Sequence, residues 1–169
     1  MTPEEMIPGF ELRLAWRRND AQIEADVLAF WTRLNILPAD ARPEERVKEL
    51  LVVAYKDGEV AGVHSAALSY MEQVKTRLAM VRTAVDPAHR RSHLAIALTI
   101  RGRALVEQWS RDNPDAGVGG MGAIIESREL AERGRQPYWP QTRFILAGFL
   151  PDGRQLRISW FEDFRLEHY

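Results

Sequence analysis

The sequence contains no cysteine. This absence excludes disulfide bonds, thiolate nucleophiles and cysteine-ligated zinc, and it suits the reducing cytoplasm, where we expect the protein to reside. Neither sign of charge dominates, because 23 basic and 24 acidic residues leave a formal net charge of −1. A protein dedicated to nucleic acid is usually basic, so we expect no nucleic-acid partner.

The sequence also lacks an apolar run long enough to cross a membrane, so we expect no membrane partner. Residues 1–10 contain two acids and two prolines, which is unlike a signal peptide. Apolar residues make up 46% and charged residues 28%, as is usual for a globular protein. A chain of 169 residues is long enough for one substantial core, so we expect a single domain over residues 1–169.

Patterns of apolar residues predict strands at residues 10–16, 50–55, 60–74, 77–85, 118–125, 142–150 and 156–166. Asp57 and Gly58 predict a tight hairpin turn between the second and third strands. Helical spacing predicts helices after Asp20, from Pro43, over residues 96–109 and over residues 127–135. The helix between the fourth and fifth strands implies that these two strands are parallel. Two prolines predict an irregular segment at residues 136–140.

Basic and hydroxyl side chains precede the long predicted helix, at Arg90, Arg91 and Ser92. The start of a helix presents unpaired N–H groups and the positive end of the helix dipole, and so can hold a phosphate. The same arginines are also compatible with a solvated surface patch. From these residues alone both interpretations remain open.

The strand, loop and helix around these residues resemble a segment of the GCN5-related N-acetyltransferases (GNATs). In that superfamily the segment reads roughly V-x-P-x-x-R-G-x-G-x-G/A, and its loop amides hold the pyrophosphate of acetyl-CoA. The positions that match are Val85, Pro87, Arg90, Leu94 and Ala95. Arg91 stands at a position that is often glycine, and His93 replaces the first glycine of the core motif. A glycine there lets the backbone approach a ligand closely.

The order of predicted elements is similar to the GNAT order over nearly the whole chain. The resemblance implies an α+β (α/β) fold: a mixed, mostly antiparallel twisted sheet with helices on both faces, splayed fourth and fifth strands and a C-terminal β-hairpin. It also implies acetyl-CoA as co-substrate and no metal. The residues expected to bind acetyl-CoA are Thr83, Val85, Arg90, Arg91, Ser92, His93, Leu94 and Ala95.

In GNATs an amine attacks the thioester directly, a base takes the amine proton and a tyrosine often protonates the leaving thiolate. The resemblance places Glu126 as a candidate base, although the same residue suits the start of a helix. Tyr138 is the candidate acid, and aromatic packing of its loop is the alternative. Phe144 occupies the place where family members often have tyrosine, and it cannot donate a proton.

Two further residues are candidates for contact with the acceptor. Arg82 is the one charged residue inside an otherwise apolar predicted strand after Arg77, so it should either pair with an acid or face a cavity. His64 lies in the middle of the third predicted strand, either as a core histidine or as a general base. His89 and His93 are four residues apart, but Pro87 places His89 in the loop, so we expect no metal site.

The resemblance therefore predicts an acyl-CoA-dependent N-acyltransferase, with acetyl as the acyl group and a small-molecule amine as acceptor. The alternative is a non-catalytic protein of the same fold that binds a ligand or serves assembly, because His93 replaces a glycine, Phe144 replaces a tyrosine and the predicted fourth strand lacks an acid. A homodimer formed through the aromatic hairpin around Trp160 and Phe161 is also open.

Overall fold

The computed structural model describes residues 1–166. Its α-helices are α1 Pro3–Met6, α2 Ala21–Leu34, α3 Pro43–Arg46, α4 Leu94–Asp112 and α5 Arg128–Arg133. Its strands are β1 Glu11–Leu14, β2 Leu50–Lys56, β3 Glu59–Met71, β4 Thr76–Val85, β5 Val118–Ile125, β6 Tyr138–Trp139, β7 Phe144–Phe149 and β8 Gln155–Trp160. The strands form a sheet in the order β1-β2-β3-β4-β5-β8-β7-β6. This is the mixed α+β architecture expected from the sequence.

The sheet is antiparallel except at its centre. The pairs β1–β2, β2–β3, β5–β8, β6–β7 and β7–β8 are antiparallel. The pair β4–β5 is parallel, because α4 carries the chain back between the two strands. The predicted parallel pair and the predicted C-terminal hairpin are both confirmed.

Local signals in the sequence explain where several elements begin and end. The Asp20 carboxylate caps α2 by accepting hydrogen bonds from the amides of Gln22 and Ile23 at 3.0 and 3.1 Å. Asp57 and Gly58 adopt φ angles of 50° and 80°, which are the positive values that a tight hairpin requires. These two signals operate within a few residues, and both predictions are confirmed.

The chain forms two compact units, each with its own core. The first contains Met1–Ala66 and Arg82–Leu105, and the second contains Ala67–Val81 and the chain from Val106 onward. In the first unit α2 packs on β2 and β3 through residues that include Val27, Phe30, Val53 and Val63. In the second unit the buried residues include Leu78, Leu156 and Ile158. The single domain expected from the sequence stays a prediction.

Two predicted elements near the C-terminus have different bounds in the structure. The last strand ends at Trp160 rather than at residue 166, because the chain turns after Phe161, where the amide of Phe164 donates to the carbonyl of Phe161 at 3.3 Å. The segment at residues 136–140 is not wholly irregular, because Tyr138 and Trp139 form β6 and pair with β7. Neither the β6–β7 pairing nor the turn after Phe161 is evident from the periodicity of the apolar residues.

No helix in the described part of the chain is both long and apolar enough to cross a membrane.

Candidate functional site

The end of β4 presents an open strand edge. Its paired register with β5 ends at Met80, whereas the strand continues to Val85. The amide of Asp86 donates to the carbonyl of Ala61 on β3 at 2.8 Å. Because backbone groups alternate in direction along a strand, those of Thr83 and Val85 point to the opposite edge. No strand register covers that edge in the described residues, so its N–H and C=O groups are available to a ligand.

The loop after β4 is fixed at its first residue. The Asp86 carboxylate accepts hydrogen bonds from the Ala88 amide at 2.9 Å and from Arg33 Nη2 at 2.8 Å. The Ala88 amide first and the Arg33 guanidinium second hold the pKa of this carboxyl below its usual range. The His89 ring packs edge-on against Phe10, with 5.2 Å between the ring centroids. These contacts hold the loop in one position before the helix begins.

His93 adopts the backbone conformation that favours glycine. Its φ angle is 59°, in the left-handed region. Its side chain is exposed, so the imidazole does not fill the junction between loop and helix. The carbonyl of His93 accepts a hydrogen bond from the amide of Ala97 at 3.0 Å. The chain therefore turns into α4 through a left-handed residue, at the position where the family motif has glycine.

Backbone donors and cationic side chains come together at the start of α4. The amides of Leu94, Ala95 and Ile96 have no hydrogen-bond acceptor within the described part of the chain, as expected for the first turn of a helix. The side chains of Arg90 and Arg91 are exposed, and neither has an acidic partner among those residues. Free amides and free guanidinium groups are the donors that bind phosphate oxygens.

The hydroxyl of Ser92 is already engaged. Its Oγ donates to the carbonyl of His89 at 2.6 Å, and its amide donates to the same carbonyl at 3.1 Å. Ser92 therefore stabilises the turn, and its predicted contact with acetyl-CoA stays a prediction.

His64 is fully buried and contacts the end of β4. Its Nδ1 lies 2.8 Å from Thr83 Oγ1. Burial lowers the pKa of the imidazole to about 3, so the ring is neutral at physiological pH. Its Nε2 has no hydrogen-bond partner, and it faces Gly102 of α4. These are the surroundings of a core histidine, and contact with an acceptor stays a prediction.

Arg82 pairs with an acid, which was one of its two predicted environments. Its Nη1 lies 3.4 Å from Glu49 Oε2, and 54% of its side chain is exposed. An ion pair at this exposure contributes little to stability. A role in acceptor binding stays a prediction.

Glu126 lies on the surface of the second unit. Its side chain is 80% exposed, and its Oε1 lies 3.3 Å from Arg154 Nη1. It directly precedes Ser127, whose Oγ accepts a hydrogen bond from the Leu130 amide and caps α5. The residue therefore has features of a helix-start acid, and its assignment as a base stays a prediction.

Tyr138 lies in the short strand β6, opposite Ile145 of β7. Its side chain is 47% exposed, and its hydroxyl has no hydrogen-bond partner within residues 1–166. The next residue, Trp139, packs edge-on against buried Phe144 with a centroid distance of 6.4 Å. The segment thus packs through Trp139 and leaves the Tyr138 hydroxyl accessible, as a proton donor requires. Its catalytic role stays a prediction.

The aromatic residues proposed for a dimer pack within the chain. Phe161 is buried, and the half-buried ring of Trp160 stacks on Phe164 with 5.6 Å between centroids. Little of this cluster is available to a second copy. The homodimer stays a prediction, and the aromatic residues around Trp160 and Phe161 do not support it.

Comparison with known proteins identifies the fold. No protein-family model matches the sequence, and no curated protein matches it. Among solved structures, the ribosomal-protein-S5-alanine acetyltransferase from Vibrio fischeri superposes with a TM-score of 0.60 at 11% identity, covering 95% of this chain and 97% of that one. An acetyltransferase of the GNAT family from Streptococcus pneumoniae gives 0.58 at 11% identity, covering 90% and 99%.

A third structure, the Salmonella typhimurium protein yncA with its cofactor acetyl-CoA, gives a TM-score of 0.55 at 14% identity, covering 94% of this chain and 98% of that one. The chain has the fold of the GCN5-related N-acetyltransferases. The GNAT fold predicted from the loop motif and the element order is thereby confirmed. At these identities the likeness concerns the backbone, so residue roles depend on the geometry described above.

Within this GNAT fold, two buried features were missed by sequence reasoning. One is the contact between His64 and Gly102, for which the glycine inside an apolar helix was a signal. The other is Arg157 on β8, which is fully buried in the second unit. Its signal was a lone arginine between Leu156 and Ile158 in an apolar run. No group of three histidine, aspartate or glutamate side chains that could hold a metal ion occurs in the described residues.

The second unit also contains a cavity of about 710 Å³. Thr76 and Arg77, which begin β4, contribute to its wall, whereas Thr83 and Val85 lie at the other end of that strand. None of the residues predicted to bind acetyl-CoA lines it.

Proposed function

We propose that the protein is an acyl-CoA-dependent N-acyltransferase, with acetyl-CoA as acyl donor and a small-molecule amine as acceptor. The observation that carries the proposal is the junction of β4 and α4. There His93 holds a left-handed conformation while the amides that follow it and two arginines have no partner in the described chain.

The junction supplies the chemistry that a pyrophosphate needs. The amides of Leu94, Ala95 and Ile96 point out of the first turn of α4, where the helix dipole favours negative charge. Arg90 and Arg91 add guanidinium donors, which bind phosphate oxygens with good geometry. The free backbone edge at Thr83 would then pair with the amide groups of the pantetheine arm.

In the reaction the amine nitrogen attacks the thioester carbonyl carbon, the carbon–sulfur bond breaks, and an amide and a free thiol are formed. Glu126, directly or through water, would accept the proton that the amine loses. Tyr138 would give a proton to the departing thiolate. Positioning of the two reactants supplies much of such a rate, so modest acid and base groups are sufficient.

Thermal unfolding with and without acetyl-CoA tests the proposal. At about a hundred times its dissociation constant a ligand stabilises the folded state by about 2.7 kcal/mol. For a chain of this size that corresponds to an increase in Tm of about 5–11 °C. Arg90→Ala and Arg91→Ala should each reduce the increase, whereas Arg18→Ala, an exposed arginine outside the junction, should not. No increase at millimolar acetyl-CoA contradicts the proposal.

His93→Gly tests whether the histidine limits binding. Because the imidazole is exposed, we expect the dissociation constant for CoA to change by less than about threefold, which is below 1 kcal/mol. A gain of tenfold or more, measured by calorimetry, would show that the ring obstructs the pyrophosphate.

The acceptor is tested with acetyl-CoA and two panels, one of small-molecule amines and one of peptides with a free N-terminus. The Vibrio fischeri protein is named for a ribosomal-protein alanine, so peptides are the informative comparison. Turnover with peptides alone contradicts the small-molecule part of the proposal and leaves the transferase part standing.

A non-catalytic ligand-binding protein is the second candidate. It is favoured by the ion pair that engages Glu126 and by the buried Phe144, which cannot donate a proton. Saturable binding of CoA without turnover on either panel would support it.

A further inference from the structure

The hydrogen bond between His64 and Thr83 has one buried side and one exposed side. His64 is 0% exposed, whereas Thr83 is exposed at the end of β4. The two residues are 19 positions apart, and His64 Nδ1 lies 2.8 Å from Thr83 Oγ1. A buried ring therefore controls a hydroxyl at the surface of the candidate site.

The direction of this hydrogen bond follows from the other ring nitrogen. Nε2 of His64 is buried and has no partner. In a neutral imidazole one nitrogen carries the proton and the other accepts. An orphaned buried N–H group is rarer than an under-satisfied acceptor, so the proton belongs on Nδ1. His64 then donates, and Thr83 Oγ1 accepts.

The Thr83 hydroxyl therefore keeps its own proton for another partner. A hydroxyl has one donor and two acceptor sites, and His64 occupies an acceptor site. No second partner of this hydroxyl exists in the described residues, and the side chain is open to solvent. The backbone of the same residue faces the free edge of β4. One residue thus presents oriented polar groups from both its main chain and its side chain.

The imidazole is held in place by α4. A Cβ atom added to Gly102 would overlap His64 Cδ2, and it would lie 2.8 Å from His64 Nε2 and 3.3 Å from Leu51 Cδ1. These distances show that the ring packs directly on the helix backbone. Close packing of this kind prevents the ring from turning away from Thr83.

We propose that the Thr83 hydroxyl donates a hydrogen bond to a carbonyl oxygen of the acyl donor, and that His64 is the positioning residue that orients it. The inference rests on the proposed function, because the acyl donor is the ligand of that site. Two carbonyl sources share this chemistry: the thioester of acetyl-CoA and the amides of its pantetheine arm.

Thr83→Val and Thr83→Ser form the matched test, since valine has the same shape without the hydroxyl and serine keeps it. Acetyl-CoA and free CoA are titrated by calorimetry. A hydrogen bond between neutral groups corresponds to a change of about 2–12-fold in the dissociation constant. We expect Thr83→Val to weaken binding to that extent and Thr83→Ser to stay within about twofold.

The two ligands separate the two carbonyls. Weaker binding of acetyl-CoA alone identifies the thioester carbonyl, and equal weakening of both ligands identifies a pantetheine amide. Unchanged binding of both by Thr83→Val, with wild-type binding intact, overturns the inference and leaves the proposed function standing. If the wild-type protein binds neither ligand, the inference and the proposed function are both overturned.

The role of His64 is tested by His64→Asn and His64→Leu, because the asparagine amide can replace the Nδ1–H donor and leucine cannot. We expect His64→Leu to weaken binding as much as Thr83→Val does. In the Thr83→Val protein, His64→Leu should cause no further loss of affinity. His64→Asn should lose less affinity than His64→Leu. Additive losses overturn the positioning role. If His64→Leu does not fold, His64→Asn is compared with His64→Gln. The glutamine amide occupies the Nε2 position, so it cannot replace the Nδ1–H donor, whereas the asparagine amide can.

Discussion

The two units each bury one basic side chain completely, and they accommodate it in different ways. His64 in the first unit and Arg157 in the second are both 0% exposed, and each has one nitrogen without a hydrogen-bond partner. The imidazole loses its charge, because burial lowers its pKa to about 3. One hydrogen bond, to Thr83, is then sufficient for it.

Arg157 cannot use the same solution. Burial lowers its pKa, but a guanidinium begins so high that it stays charged. Its Nη2 donates to the carbonyls of Gly134 and Gln136, its Nε donates to Gln155 Oε1 at 3.0 Å, and its Cζ lies 3.9 Å from the centre of the Trp139 ring. No carboxylate pairs with it in the described residues. The permanently charged guanidinium is thus stabilised by several hydrogen-bond acceptors and an aromatic ring, whereas the imidazole, which can become neutral, needs only one hydrogen-bond partner.

This difference has a structural consequence for the second unit. The groups that stabilise Arg157 all belong to β8 or to residues 134–139, the segment that carries Tyr138. The Arg157 guanidinium therefore holds residues 134–139, which include the candidate proton donor Tyr138, against β8 of the sheet. In the first unit the equivalent contact orders only one hydroxyl.

Arg157→Met should give the largest effect on stability. Methionine fills similar space without charge, but it leaves the buried carbonyl of Gly134 unpaired, which costs about 1–3 kcal/mol, and it removes the hydrogen bonds to Gln136 and Gln155. We expect the free energy of unfolding to fall by about 2–4 kcal/mol, measured by urea denaturation. Arg154→Met, at an exposed ion pair, is the control and should stay close to wild type. A loss of stability below about 1 kcal/mol would show that the hydrogen bonds of Arg157 add little net stability once the cost of burying its charge without a carboxylate is included.

Gly102→Ala should be next in size. The added Cβ would overlap the buried His64 ring, which has no room to move, so we expect a loss of about 1–2 kcal/mol after the gain in helix propensity. In a His64→Ala background the ring is absent, and the same substitution should become neutral or stabilising. A loss of equal size in both backgrounds would show that the ring is not the cause.

The pH dependence of stability should separate the two buried bases. The folded-state pKa of His64 is about 3 and its ordinary value is 6.5, so between these values the unfolded state binds a proton that the folded state does not. His64 therefore makes stability fall as pH falls, by about 1.4 kcal/mol per pH unit below 6.5. Because the unfolded-state histidine is only half protonated at pH 6.5, urea unfolding at pH 6.5 and 5.5 should differ by about 1 kcal/mol in wild type, and this difference should be lost in His64→Asn. Arg157→Met should retain the slope, since a guanidinium does not titrate there.

Gly134→Ala should have the smallest effect. Its Cβ would lie 2.5 Å from Trp139 Cζ2 and 2.9 Å from the Leu130 carbonyl oxygen. Trp139 is only partly buried, whereas His64 is fully buried, so the indole ring can adjust more than the imidazole even though Arg157 stacks on it, and we expect a loss of about 1 kcal/mol, less than for Gly102→Ala. Thermal unfolding of the two alanine variants side by side makes the comparison, and the reverse order would mean that the first unit is the more adaptable.

Local patterns were sufficient for most of the fold. The strand at residues 118–125, the hairpin turn at Asp57 and the cap at Asp20 were all predicted with the bounds that the structure has. The errors occurred at the ends of strands and in a segment with two prolines, where apolar periodicity gives no clear signal. β6 exists because Tyr138 pairs with Ile145, and β8 ends before the turn that the Phe164 amide closes on the carbonyl of Phe161.

The candidate site also has features that the local sequence predicts and features that it does not. The position of Arg90 and Arg91 next to a helix start could be predicted from the sequence, because these residues are neighbours in the chain, and their contact with a phosphate stays a prediction. The positive φ of His93 was not, because only the surrounding packing maintains that conformation in a residue other than glycine.

The order of most strands and helices, the parallel central pair and the position of two arginines before the long helix could be inferred from the amino acids alone. Backbone sterics, helix capping and apolar periodicity depend on residues that are close in the chain, so the local sequence determines them. The burial of His64 and Arg157, the partner of Thr83 and the accessibility of Tyr138 depended on the tertiary structure. Each results from contacts between residues about 15 or more positions apart in the chain or from solvent exclusion, which no local pattern specifies.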